Sequence, residues 1–82
     1  MPHIVAAGGD VAAFTGGLSE FDVEAATVGR MIAALEAKFP GLGDHIERKM
    51  AIAIDGEIFQ DARNVPLGAA SEVYLIPRIG GG

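Results

Sequence analysis

Cysteine is absent from this chain, which removes disulfide staples, thiolate metal sites and cysteine nucleophiles from consideration. A secreted domain of this size would ordinarily carry disulfides, so a cytoplasmic location is the expectation. Long apolar runs are also missing: none approaches the roughly 20 residues that a membrane-spanning helix needs. The opening MPHIVAAGGD has no basic segment leading into an apolar stretch, which points away from a signal peptide. Basic residues are few and scattered, six Lys and Arg against eleven Asp and Glu, for a net charge of -5. Nucleic acids and anionic membranes select a basic patch, so neither is an expected partner. An acidic surface suits a basic partner, or serves solubility alone.

What the chain does contain is a globular balance. Half of its residues are hydrophobic and about a fifth are charged, which separates it from disordered sequences. At 82 residues, the whole length, 1–82, is expected to form a single domain.

The hydrophobic pattern changes period along the chain. Ile4 to Ala7 is apolar and suited to a strand, and Gly8, Gly9, Gly16 and Gly17 then punctuate the sequence. Val11 and Phe14 lie between them, placed to face a core. From Ser19 onward Phe21, Val23 and Ala25 alternate with Glu20, Asp22 and Glu24, the period of a half-buried strand. Ile4 to Ala26 therefore reads as two strands joined by a long glycine-containing turn. Thr27 is suited to cap a helix, since its hydroxyl can accept a free first-turn amide. Val28, Met31, Ile32, Leu35 and Phe39 follow as one apolar stripe, predicting a helix from Thr27 to Phe39 that Pro40-Gly41 ends. Arg30 stands where a capping box would place Glu or Gln.

Leu42 to Lys49 reads as a helical turn, Met50 to Ile54 as a strand, and Asp55-Gly56 as a hairpin turn into Ile58-Phe59. Asn64 to Ser71 is a loop. Val73 to Ile76 is a continuous apolar strand, a pattern associated with burial on both faces. Alternation alone leaves open whether Val73 and Leu75, or Tyr74 and Ile76, face inward. The order predicts an α+β fold, a mixed four- to five-stranded sheet packed on one main helix, each covering the other's apolar surface. That is the order of a β-grasp, the ubiquitin-like fold, with the last strand in the middle of the sheet.

Side-chain chemistry is sparse. His3 and His45 are the only histidines, and neither has metal-ligand spacing, so both are expected to be solvated. Asp22 and Glu24 fall on the solvent side of an alternating strand, where nothing shifts a carboxyl toward general-acid work. Gly8-Gly9-Asp10 lacks the Lys-Ser/Thr of a phosphate loop.

The remaining feature is Gly80-Gly81-Gly82. Glycine has nothing to pack and loses the most entropy on ordering, so this run is poor structural material. A frayed end or a cloning remnant is one reading. The other is a flexible tail over residues 79–82, thin enough to thread a channel in another protein. It would reach roughly 13 Å at about 3.3 Å per residue.

The motifs in their order resemble the MoaD/ThiS family of ubiquitin-like sulfur carriers. Pro66-Leu67, then Glu72-Val73 opening a strand, Pro77 and the terminal glycines resemble the family's close. Ala26-Thr27-Val28-Gly29 resembles its helix entry, Phe39-Pro40-Gly41-Leu42 its helix exit, Lys49 to Gly56 its middle strand and turn, and Phe14-Thr15-Gly16-Gly17 the end of its first hairpin. The length is similar to that of a molybdopterin synthase small subunit.

The resemblance implies that an E1-like enzyme of the MoeB/ThiF type uses ATP to adenylate the Gly82 carboxylate. Sulfur then replaces AMP and leaves a thiocarboxylate, with Gly81 beside it. In the molybdopterin branch the tail enters a MoaE-type large subunit and donates sulfur to a pterin precursor. The chain itself would then be a carrier, not an enzyme, with no cofactor or metal of its own. The resemblance further implies partner contacts at Leu67, Ile76, Arg78, Ile79 and Gly80, the first two within an apolar docking patch. Three positions depart from the pattern: Gly8 for a large aromatic, Ala12-Ala13 for Arg-Glu, and Ala69-Ala70-Ser71 for Asp-Gly-Asp. They leave room for a pathway other than the molybdenum one. The same scaffold admits a modifier joined to lysines through Gly82, or a plain interaction domain.

Overall fold

The computed structural model describes residues 1–59 and 62–78. Its elements run β1 (His3–Ala6), α1 (Ala12–Thr15), β2 (Glu20–Asp22), α2 (Val28–Lys38), α3 (Leu42–Lys49), β3 (Met50–Ile54), β4 (Glu57–Phe59) and β5 (Glu72–Pro77). One five-stranded sheet in the order β2-β1-β5-β3-β4 carries α2 on one face. β1 and β5 are parallel, while the other pairs are antiparallel. This is the mixed sheet of a β-grasp, with β5 central as the element order predicts.

Thr27 caps α2 as its side chain predicts: its hydroxyl accepts the Arg30 amide at 3.2 Å. The two preceding free amides are also used. Val28 donates to the Val65 carbonyl at 3.0 Å and Gly29 to that of Arg63 at 2.9 Å. The incoming chain is fastened too, with Leu67 donating to Ala26 at 2.9 Å. The loop before β5 is thus laced onto the start of the helix. Val28, Met31, Ile32 and Leu35 are buried, whereas Phe39, at the C-cap, is only partly covered and rests on Phe21 with ring centroids 5.5 Å apart.

Three expectations are revised. The glycine-containing turn holds a short helix, α1, which brings fully buried Val11 and part-buried Phe14 to the core by helical geometry. The turn after Pro40 is a full helix, α3, burying Leu42, Gly43 and Ile46. Its start is closed by Glu36, whose carboxylate accepts the Gly41 amide at 2.8 Å and the Gly43 amide at 2.9 Å. Finally, β5 is buried on one face only: Val73 and Leu75 point into the core, while Tyr74 is exposed and Ile76 half-buried. With one helical layer, nothing among the described residues covers the second face of the sheet.

Candidate functional site

The root of the glycine tail is held from both sides. β5 lies between β1 and β3, and past its end Arg78 still donates its amide to the Lys49 carbonyl at 3.0 Å. The Arg78 side chain turns back as well, Nε donating to the Met50 carbonyl at 3.0 Å. On the other flank, Ala7 donates to Leu75 at 2.9 Å. Next in the chain, Gly8 has φ +83° and lies so close to Pro77 that a β-carbon would sit 3.1 Å from its Cγ. The large aromatic that the family pattern places here would therefore clash, or force Pro77 aside. The turn that departs from Asp-Gly-Asp is closed by its serine: the Ser71 hydroxyl accepts the Gly68 amide at 2.9 Å. Ile79, Gly80, Gly81 and Gly82, and the expectation of a mobile tail, lie outside the described residues.

Beside that root spreads the open face of the sheet. Strand register sets Val5, Tyr74, Ala53 and Ile58 in one row across β1, β5, β3 and β4, with Ala51 paired to Ile76 in the next. Ile58 is 63% and Tyr74 42% exposed, so the row presents large apolar and aromatic side chains to solvent. Ile76, half-buried, lies on this face. Leu67 does not: it is a core residue, turned inward because its backbone is bonded to the helix entry. Sequence reasoning missed Val5, Tyr74 and Ile58. The signal was Tyr74, whose hydroxyl needs water or a partner and so fits an outward position better than Val73 or Leu75.

Neither histidine is simply solvated. His3, on the same open face, lies between two carboxylates, with Nδ1 at 2.9 Å from Asp22 Oδ1 and Nε2 at 2.9 Å from Glu20 Oε1. The bond to Asp22, and then that to Glu20, raise its pKa above the ordinary 6.5. His45 stacks against Phe14 with centroids 5.0 Å apart, and its Nε2 is buried without a hydrogen-bond partner, 3.7 Å from Asp10 Oδ2. Among the described residues no group of three or more His, Cys, Asp or Glu is arranged to hold a metal ion. No described helix is long and apolar enough to cross a membrane.

A five-stranded mixed sheet with the last strand central and one main helix on its inner face is the ubiquitin-like β-grasp layout. The ThiS family model matches residues 9–82, nine-tenths of the chain and through the glycines themselves. The chain belongs to the ThiS family. This ThiS-family protein thus stands among the ubiquitin-like sulfur carriers of the MoaD/ThiS type, small proteins that are generally non-catalytic. No curated protein matches it by sequence. Solved structures match its fold over nearly the full length. CysO in the BexX/CysO complex of Amycolatopsis orientalis is 16% identical, with 100% of each chain covered and a TM-score of 0.84. Mycobacterium tuberculosis CysO, described as an antigen, is 18% identical, covering 96% of this chain and 100% of its own, also at 0.84. The small archaeal modifier protein 1 (SAMP1) of Methanosarcina acetivorans is 15% identical, with 99% and 95% covered and a TM-score of 0.78.

Proposed function

We propose that this ThiS-family protein carries sulfur on Gly82 as a terminal thiocarboxylate. An E1-like adenylating enzyme of the MoeB/ThiF type activates the carboxylate with ATP, because a free carboxylate is a poor electrophile and AMP is a good leaving group. A hydrosulfide-level nucleophile then attacks the acyl carbon and AMP leaves, so that the acyl C–O bond to AMP is exchanged for a C–S bond with no change of oxidation state. The observation that carries the reading is the family match running through Gly80-Gly81-Gly82, on a chain whose last strand is central and anchored to both neighbours. A rigid root and a side-chain-free tail are what delivery into a narrow site requires, since activation depends on near-attack geometry. Within this reading Arg78, Ile79 and Gly80 line the entry to the partner's channel and Gly81 passes through it.

The acceptor that chain length favours is the pterin precursor of molybdopterin synthesis, with the chain as small subunit to a MoaE-type large subunit. A second acceptor class has its own support: the fold is similar to CysO proteins, one of them solved with BexX, so a partner outside the molybdenum pathway fits the same scaffold. The likeness to a modifier protein supports attack by a lysine amine on the same adenylate as the alternative chemistry. No cofactor is assigned to the chain itself, and the cytoplasm, where ATP and the activating enzyme reside, is the proposed location.

The deciding experiment is ATP–pyrophosphate exchange with the host's adenylating enzyme, comparing the full chain with a deletion of Gly82. Loss of exchange on deletion supports the reading, while equal rates overturn it. Intact mass spectrometry of protein from its native host then separates the chemistries: a thiocarboxylate marks the sulfur carrier, an isopeptide adduct the modifier.

A further inference from the structure

His45, on α3, packs its ring on Phe14 of α1, and Phe14 in turn covers Gly41, where a β-carbon would come within 3.1 Å of the phenyl ring. In this enclosure Nε2 is shut off from solvent and finds no hydrogen-bond partner among the described residues. Buried polar nitrogens are rarely left so, because desolvation without a bond costs stability. Asp10 Oδ2 faces it at 3.7 Å, too long for a hydrogen bond yet closed by a small rotation of either side chain. A neutral imidazole has one donor nitrogen and one acceptor. With the proton on Nδ1, Nε2 turns a lone pair toward a carboxylate oxygen, and the two hold each other off. That tautomer accounts for the gap. A proton on Nε2 turns the same pair into a charge-assisted donor and acceptor, whose ordinary separation is about 2.7–2.9 Å. The charged groups around the ring are Asp10, from the loop ahead of α1, and Asp44, Arg48 and Lys49 of α3, while α1 itself contributes none. Asp44 is paired with Arg48 at 3.6 Å, which leaves Asp10 as the carboxylate available to Nε2.

We propose that His45 and Asp10 form a proton-operated clasp: Nε2 takes up a proton from water, donates it in a hydrogen bond to Asp10 Oδ2, and so pins the Gly8–Asp10 loop onto α3. The clasp joins two segments that brace one point of the fold. On the loop side, Gly8, at φ +83°, packs on Pro77, and Ala7 before it is bonded to Leu75 at 2.9 Å. On the helix side, His45 lies one turn before Lys49, whose carbonyl accepts the Arg78 amide at 3.0 Å. Closing the clasp therefore stiffens the loop and fixes both flanks of Pro77-Arg78 to each other. Acid closes it and alkali opens it. The inference stands on this geometry and does not depend on what Gly82 carries.

The test uses the full chain carrying His3→Gln, so that His45 is its one titrating histidine and the β1–β2 histidine site is silent. Imidazole nitrogen shifts in NMR are followed from about pH 8 to about pH 5, the interval in which histidines as a class change charge. Nε2 should be unprotonated at the upper end and protonated at the lower. Over the same interval the amide protection of Ala7 and Ala13, whose bonds flank the loop, should rise about threefold once the intrinsic pH dependence of exchange is removed. Asp10→Asn, isosteric and at a half-exposed position, should keep the fold and lose that rise. His45→Gln, which cannot titrate, should hold the protection constant. A ring that carries its proton on Nε2 at both ends of the range overturns the proposal. So does flat protection in the parent chain, or an equal rise in Asp10→Asn. None of these outcomes bears on adenylation of Gly82, so the clasp and the carrier reading fail separately.

Discussion

Gly43 lies against Glu36 so closely that a β-carbon on the glycine would sit 2.9 Å from the glutamate's own Cβ, while its amide donates to Glu36 Oε1 at 2.9 Å. The same contact allows α2 and α3 to pack and neutralises the free amides at the start of α3. Gly43→Ala should lower the melting temperature, because the neighbouring atoms belong to Glu36 and Ile32 within the helix pair. Native-like melting of that variant would show that the pair yields without cost.

Glu36 also sets a pH dependence. Its hydrogen bonds from Gly41, and then from Gly43, hold its pKa below the ordinary 4.5. A lowered folded pKa means the stabilisation is present above the ordinary carboxylate range and is lost as pH falls through the folded value. Glu36→Gln should therefore be less stable near neutrality and show a shallower loss of stability on acidification. Acid unfolding followed by circular dichroism checks the slope.

His3 has the opposite sign. Its raised pKa stabilises the fold at pH below the ordinary 6.5, and that contribution fades as pH rises through the folded value. Imidazole proton shifts in NMR should titrate above the ordinary value in the wild type. They should move toward that value when Asp22 becomes Asn, with a smaller movement for Glu20→Gln.

Leu35→Ala should cost on the order of 2–5 kcal/mol, since a fully buried side chain would leave a cavity between helix and sheet. Thr27→Ala should cost about 1 kcal/mol through the lost cap. Leu67→Asp and Ile76→Asp separate core from surface. The first should lose on the order of 4 kcal/mol or fail to fold, whereas the second should stay within about 1 kcal/mol yet weaken exchange with the activating enzyme. Similar denaturation midpoints for the two would contradict this assignment.

Gly81→Val tests the tail without shortening it. A branched β-carbon restricts the backbone and widens the segment, so exchange should fall by roughly 10²-fold with stability unchanged. Retained exchange would mean that the activating site tolerates a thick tail.

The sequence by itself determined the elements whose signal is local. The Thr27 hydroxyl and the stripe through Leu35 specify α2, and Asp55-Gly56, both with positive φ, make the tight turn between β3 and β4. The glycine run at 80–82 is likewise a property of the chain itself. What depended on distant contacts was decided only by the tertiary structure. Leu67 turned inward because its amide meets Ala26, forty-one positions earlier, and Tyr74 turned outward because parallel pairing with β1 set Val73 and Leu75 toward α2. His3 looked isolated in the chain, yet antiparallel register brought it between Glu20 and Asp22. A strand's pattern states that alternate residues share a face, but only the neighbours it pairs with decide which face the core will cover.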